Sequence, residues 1–139
     1  MIVDESTDFG ARAARHLRED KVAWLTTVTP SGAPLPMPVW FVWDGDETVV
    51  MYSRDSARVR NVRANPNVSL NFAGDGQGGD IVVLSGTAEV IDGAETADKD
   101  PGYRDKYSWG FDRLRISPEQ FAARYPNRIS IRLTRLRGH

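Results

Sequence analysis

The stretch YSRDSARVRNVRANPNV, Tyr52 to Val68, places four arginines within ten positions, at 54, 58, 60 and 63. A guanidinium is planar and always charged, and its forked donors suit bidentate recognition of phosphate or carboxylate. The stretch follows an apolar run, ETVVMYS, and opens what reads as a short helix from Asp55 to Ala64. Asp55 or Ser56 can cap that helix, and Asn65 followed by Pro66 stops it. Arg58 then falls in the first turn, where the helix dipole already concentrates partial positive charge. A cation there is unfavourable unless an anion arrives. Helix amides, the Ser56 hydroxyl and the guanidiniums of Arg54 and Arg58 can converge on one phosphate, while Arg60 and Arg63 point elsewhere. The plainer alternative is an exposed helix whose arginines pair with nearby aspartates.

The local basic charge does not extend to the whole chain. Net charge is −1 over 139 residues, which argues against general attraction to nucleic acid or to an anionic membrane. Arginine dominates lysine, as it also does in proteins from GC-rich genomes. There is no cysteine, so disulfides, thiolate metal sites and thiol nucleophiles are excluded. The two histidines, His16 and His139, lie far apart, and no metal-binding motif occurs. The N-terminal segment carries acidic residues and no apolar core, so it does not read as a signal peptide. No apolar run approaches a membrane span, and the simplest placement is the cytoplasm.

The elements that must position the arginines can be read from period and turn chemistry. Thr7 to Asp20 has the spacing of an amphipathic helix, with His16 on or beside its apolar face as a satisfied, half-buried residue. Six strands are expected: 22–28, 35–43, 47–53, 68–74, 80–92 with a bend at Gly86, and 128–139. Pro34, Pro36 and Pro38 alternate, so three amide donors are missing from one side of the second strand. That strand belongs at a sheet edge or beside a groove. DGQGGD (75–80) reads as a hairpin loop, 101–116 as an irregular aromatic and basic segment, and 117–125 as a helix with a Ser117/Gln120 capping box. Loops 75–80 and 101–116 are expected to shape a pocket. The expected fold is mainly β: a single domain, residues 1–139, forming a six-stranded antiparallel split β-barrel with a few short helices, with closure removing the strand edges.

The block LTTVTPSGAPLPMPVWFVWDGDETVVMYSRDSARVRNVRANPNVSLNF, together with the C-terminal TRLRGH, resembles the pyridoxamine 5′-phosphate oxidase-like, flavin/deazaflavin-binding split β-barrel superfamily. It is more specifically similar to the actinobacterial branch that uses coenzyme F420. The resemblance covers the chain from about residue 10 to the end. It implies a homodimer with two cofactor sites in grooves between subunits. It implies that Ser53, Arg54, Ser56, Ala57, Arg58 and Asn61 hold the cofactor phosphate and adjoining polar chain. Met37, Pro38, Val39 and Trp40 would lie along the ring, and Tyr107, Trp109 and Phe111 would reach over from the partner subunit or pack the interface.

The implied activity is F420-dependent hydride transfer to an unsaturated small molecule. No catalytic residue is identified, because a redox cofactor carries such chemistry and the sequence shows no acid–base pair. FMN is the alternative cofactor, in an oxidase or reductase, and a non-catalytic cofactor-binding protein is a third reading. Extra arginines (Arg60, Arg63 or Arg104) mildly favour the long anionic tail of F420. Pyridoxamine phosphate oxidase activity itself is not expected, since the C-terminus lacks the tryptophan-glutamine and arginine-leucine-histidine elements for that substrate.

Overall fold

The computed structural model describes residues 1–139. Its strands form one antiparallel sheet, curled into a half-barrel, in the order β2-β1-β5-β6-β7-β4-β3. They are β1 (Ala23–Val28), β2 (Pro34–Val39), β3 (Val42–Trp43), β4 (Thr48–Ser53), β5 (Asn67–Asn71), β6 (Val82–Ile91) and β7 (Asn127–Gly138). Four α-helices accompany them: α1 (Asp8–Glu19), α2 (Ala57–Ala64), α3 (Pro101–Leu114) and α4 (Pro118–Arg124), with a short 3₁₀ turn at Ala97–Lys99. No helix is long and apolar enough to cross a membrane.

The sheet has seven strands rather than the expected six, because the run 35–43 breaks at Trp40 and Phe41. The cause is local hydrogen bonding. Phe41 N–H donates to the Tyr107 hydroxyl at 2.7 Å, and its carbonyl lies 2.9 Å from that hydroxyl and accepts from Lys106 Nζ at 3.0 Å. Side chains of α3 thus replace a strand partner. The two successive rings also diverge, Phe41 into the main core and Trp40 against a second apolar cluster.

The expected closure is not made, since β2 and β3 remain the two edges. Both edges are blunted by other means: β3 has only two residues, and β2 carries the three prolines. Pro34, Pro36 and Pro38 lie opposite Val28, Thr26 and Trp24 in an unbroken register. The β1 ladder therefore uses the amides of the intervening residues, and the missing donors face outward.

Two apolar clusters share β4, which is buried on both faces. Val49 and Met51 join the main core inside the sheet, which α1 covers with Ala13, Ala14 and Leu17. Val50 and Tyr52 face the second cluster, built with Tyr103, Tyr107, Phe111 and Phe121 of α3 and α4. The bend in β6 falls where expected, as a register shift between Ser85 and Gly86. A Cβ on Gly86 would lie 2.6 Å from Ile131 Cγ2 and 2.8 Å from the Arg132 carbonyl oxygen, so glycine is required there.

Segment 101–116 is not irregular but largely helical. Asp100 caps α3 by accepting from Tyr103 N–H, Pro101 begins it, and Tyr103, Tyr107 and Phe111 form a buried stripe at four-residue spacing. The helix is kinked at Tyr107 (φ −112°, ψ 15°), whose hydroxyl also lies 2.9 Å from the Lys21 carbonyl. The α4 capping box is present as expected.

Candidate functional site

A cavity of about 490 Å³ opens between β2, the β4–α2 junction and the α3–α4 pair. One wall is Leu35, Met37, Pro38, Val39 and Trp40 from the edge strand and its end. Tyr52, Tyr103, Leu114, Phe121 and Tyr125 complete the aromatic and apolar lining, and Arg54, Ser56, Ala57 and Arg58 at the β4–α2 junction supply the polar part. Its size suits a small-molecule or cofactor site, and its apolar walls with a few convergent polar groups fit the usual chemistry of such sites.

The polar part contains donors without an anionic partner. The ion pairs of the chain use Arg12, His16, Arg18 and Arg63, and neither Arg54 nor Arg58 meets a carboxylate. Arg58 Nη1 donates to Ser53 Oγ at 3.2 Å, while its Nε is buried with no partner. Burial pulls the Arg58 pKa down; Tyr125 opposes that fall in part, and Arg54 adds a smaller push in the same direction as burial. Arg54 lies over the Tyr125 ring at 5.4 Å and donates to its hydroxyl at 3.2 Å. Ser56 caps α2 by position, but its hydroxyl makes no capping bond to the helix. In the first turn of α2, Val59 N–H donates to the Ser56 carbonyl at 3.1 Å, while the amides of Ala57 and Arg58 have no acceptor within the helix. Such a corner has the donor chemistry that suits an anion such as a phosphate.

Of the residues expected at the site, Met37, Pro38, Val39, Trp40, Arg54, Ser56, Ala57 and Arg58 line the cavity. Ser53, Asn61 and Trp109 do not. Ser53 is fully buried behind the corner, donating to the Arg54 carbonyl and accepting from Arg58. Asn61 is buried and donates to Thr27 Oγ1 at 3.1 Å, pinning α2 to β1. Trp109 packs on Trp40 with centroids 5.6 Å apart, lies under Lys21, and has a buried Nε1 with no partner. Trp40 itself stacks nearly parallel to Tyr107 and Phe121. A Cβ on Gly110 would lie 2.3 Å from its Cη2, so α3 seats directly on the indole.

Loop 75–80 contributes nothing to the cavity lining, unlike 101–116, which supplies Tyr103 and Leu114. Arg12 and His16 instead tie that loop to α1 through Asp80. Arg63 pairs with Asp92, and Arg104 donates to the Asp98 carbonyl, so neither lies in the corner. The sequence reading did not mark Leu35, Tyr52, Tyr103, Leu114, Phe121 or Tyr125 as site residues. Only the buried stripe of α3 and the Phe121–Tyr125 spacing carried a trace of them.

The fold is thus an antiparallel half-barrel sheet with an arginine-bearing helix start beside an aromatic groove. The chain belongs to the family described as Pyridoxamine 5′-phosphate oxidase, whose sequence profile matches residues 9–133. No curated protein sequence matches the chain. Among solved structures, an F420 reductase aligns with TM-score 0.64 and 22% identity over 88% of this chain and 94% of that one. An FAD-binding protein from Mesorhizobium loti aligns with TM-score 0.60 and 19% identity, covering 91% and 88%. HupZ of Group A Streptococcus aligns with TM-score 0.61 and 19% identity, covering 88% of each chain. At these identities the likeness is one of fold.

Proposed function

We propose that the chain is an F420-dependent oxidoreductase that moves a hydride between the deazaflavin and an unsaturated small molecule. The observation that carries this reading is the polar corner of Arg54, Ser56 and Arg58, free of carboxylates, in an aromatic-walled cavity. When bound, the cofactor supplies the hydride chemistry. The protein's tasks are to bind the anionic end, hold the ring against Met37–Trp40 and exclude water. The apolar walls serve the last two tasks. Ser53 serves the first from behind, by orienting the Arg58 guanidinium. The likeness to an F420 reductase supports the choice of cofactor.

FMN is the second reading, favoured by the likeness to an FAD-binding protein and by a corner that suits either phosphate. Arg63 and Arg104 are already engaged, which leaves Arg60 as the free arginine of the three for an anionic tail. A homodimer and a cytoplasmic placement complete the proposal; Tyr107 and Phe111, which were expected to reach over from a partner, are instead buried in this chain's own second apolar cluster.

Titration with oxidised and reduced F420, then with FMN, followed by hydride transfer to a panel of unsaturated acceptors, tests it. Saturable F420 binding with turnover supports the reading. FMN binding alone moves the assignment to the second reading. Binding without turnover of any acceptor makes the chain a cofactor carrier, and no binding of either cofactor removes the proposal.

A further inference from the structure

The geometry points to the Tyr125 hydroxyl as a third donor of the anion corner, one that makes the site discriminate a phosphorylated cofactor from its bare riboside. This inference rests on the cofactor-binding reading above.

Tyr125 ends α4 as its C-cap, with Pro126 next in the chain, so the helix cannot continue past it. Its ring stacks on Phe121 at 4.3 Å and 19°, which fixes the direction of the phenol. That direction leads to the two arginines. The Arg54 guanidinium covers the ring face, and Arg54 Nη2 donates to the hydroxyl oxygen at 3.2 Å. Arg58 lines the same cavity as Arg54 and Tyr125.

The hydrogen-bond inventory decides the role. A phenol has one O–H to donate and lone pairs that accept. The lone-pair side is used by Arg54. The proton has no acceptor within the chain, and no carboxylate stands in the cavity to take it. Arg54, Arg58, the Ser56 hydroxyl, which also lies 3.4 Å from Ser53 Oγ, and the Tyr125 O–H thus line one cavity that holds no carboxylate. A phosphate has oxygens enough to accept from all of them, and each such bond is charge-assisted. Tyr125 also holds Arg54 in place before any ligand arrives, which lowers the ordering cost of binding.

The test compares two ligand pairs by equilibrium fluorescence titration: FMN with riboflavin, and F420 with its deazaflavin riboside lacking the phosphate. Each pair is measured on the wild-type chain and on Tyr125→Phe, which keeps the stack on Phe121 and removes only the hydroxyl. A thermal melt of each checks that the fold is kept. The phosphate preference, expressed as the ratio of the two dissociation constants, is expected to fall by about tenfold or more, the scale of one hydrogen bond to a charged group. Riboside affinity stays unchanged. A preserved ratio assigns Tyr125 to wall packing and overturns the inference. A raised ratio makes the phenol a plug and overturns it too. If the wild-type chain shows no preference for the phosphorylated ligands, the anion-corner reading itself fails, and that result is separable from either outcome on the variant.

Discussion

Replacing Arg58 by methionine separates a binding role from a structural one more cleanly than any other change at the site. The folded chain loses one hydrogen bond, from Arg58 Nη1 to Ser53 Oγ, worth about 1 kcal/mol. It gains relief of a similar size. The buried Nε without a partner disappears, and so does the repulsion between two guanidiniums that no carboxylate offsets. Ser53 Oγ keeps its bond to the Arg54 carbonyl and is not stranded. Net stability therefore changes by less than about 1 kcal/mol, a shift of under roughly 5 °C in melting midpoint. Cofactor binding loses a charge-assisted bond worth about 1.5–3 kcal/mol, or roughly 10- to 150-fold in Kd. Thermal melting and a fluorescence titration on the same preparation read both quantities. A variant that melts much lower yet binds with wild-type affinity would refute the reasoning and make Arg58 a structural residue.

Three further outcomes follow from the contacts around the cavity. Gly110→Ala drives a methyl into Trp40, where the nearest atom would stand 2.3 Å away. Overpacking of about 1–3 kcal/mol should exceed the roughly 1 kcal/mol gained in helix propensity and lower the melting midpoint, whereas a raised midpoint would show that Trp40 yields freely. Tyr107→Phe leaves the Phe41 N–H without its acceptor and should cost about 1–3 kcal/mol in denaturant unfolding, and an unchanged midpoint would deny the β2–β3 break its anchor. His16 is bonded to Asp20 and Asp80, and although burial opposes its charge, these bonds raise its pKa above the ordinary 6.5. Its stabilising contribution is complete below about pH 6.5 and is lost as pH rises through the raised folded value. Melting midpoints should fall over that window in the wild-type chain and stay flatter in His16→Asn, and parallel curves would contradict the assignment.

The sequence carried local structure well and tertiary neighbourhood poorly. Helix α1 was legible because Phe9, Ala13, His16 and Leu17 repeat at helical spacing, and the fold adds Thr7 as its N-cap. The edge placement of β2 was legible because three alternate prolines leave few other positions. Helix α3 was missed although Tyr103, Tyr107 and Phe111 mark a helical face, because Pro101, Gly102 and Gly110 read as loop residues. In the fold Pro101 opens the helix and Gly110 gives Trp40 room. The break at Trp40 and Phe41 was not legible, since a tyrosine 66 residues away causes it. Arg54, Ser56 and Arg58 could be chosen because their argument is local to one helix start. Tyr52, Tyr103, Phe121 and Tyr125 could not, because they come from three separate elements, β4, α3 and α4, that no sequence pattern links to one another. Asn61 has a polar type suited to a site, yet its side chain is used inside, on Thr27.

The account stands most directly on where a bound cofactor's phosphate lies. A crystal grown with F420 present is predicted to show that phosphate among the Arg54 and Arg58 guanidiniums, the Ser56 hydroxyl and the start of α2, with the ring along Met37–Trp40. A cofactor bound elsewhere, with both guanidiniums turned to neighbouring carboxylates, would contradict it.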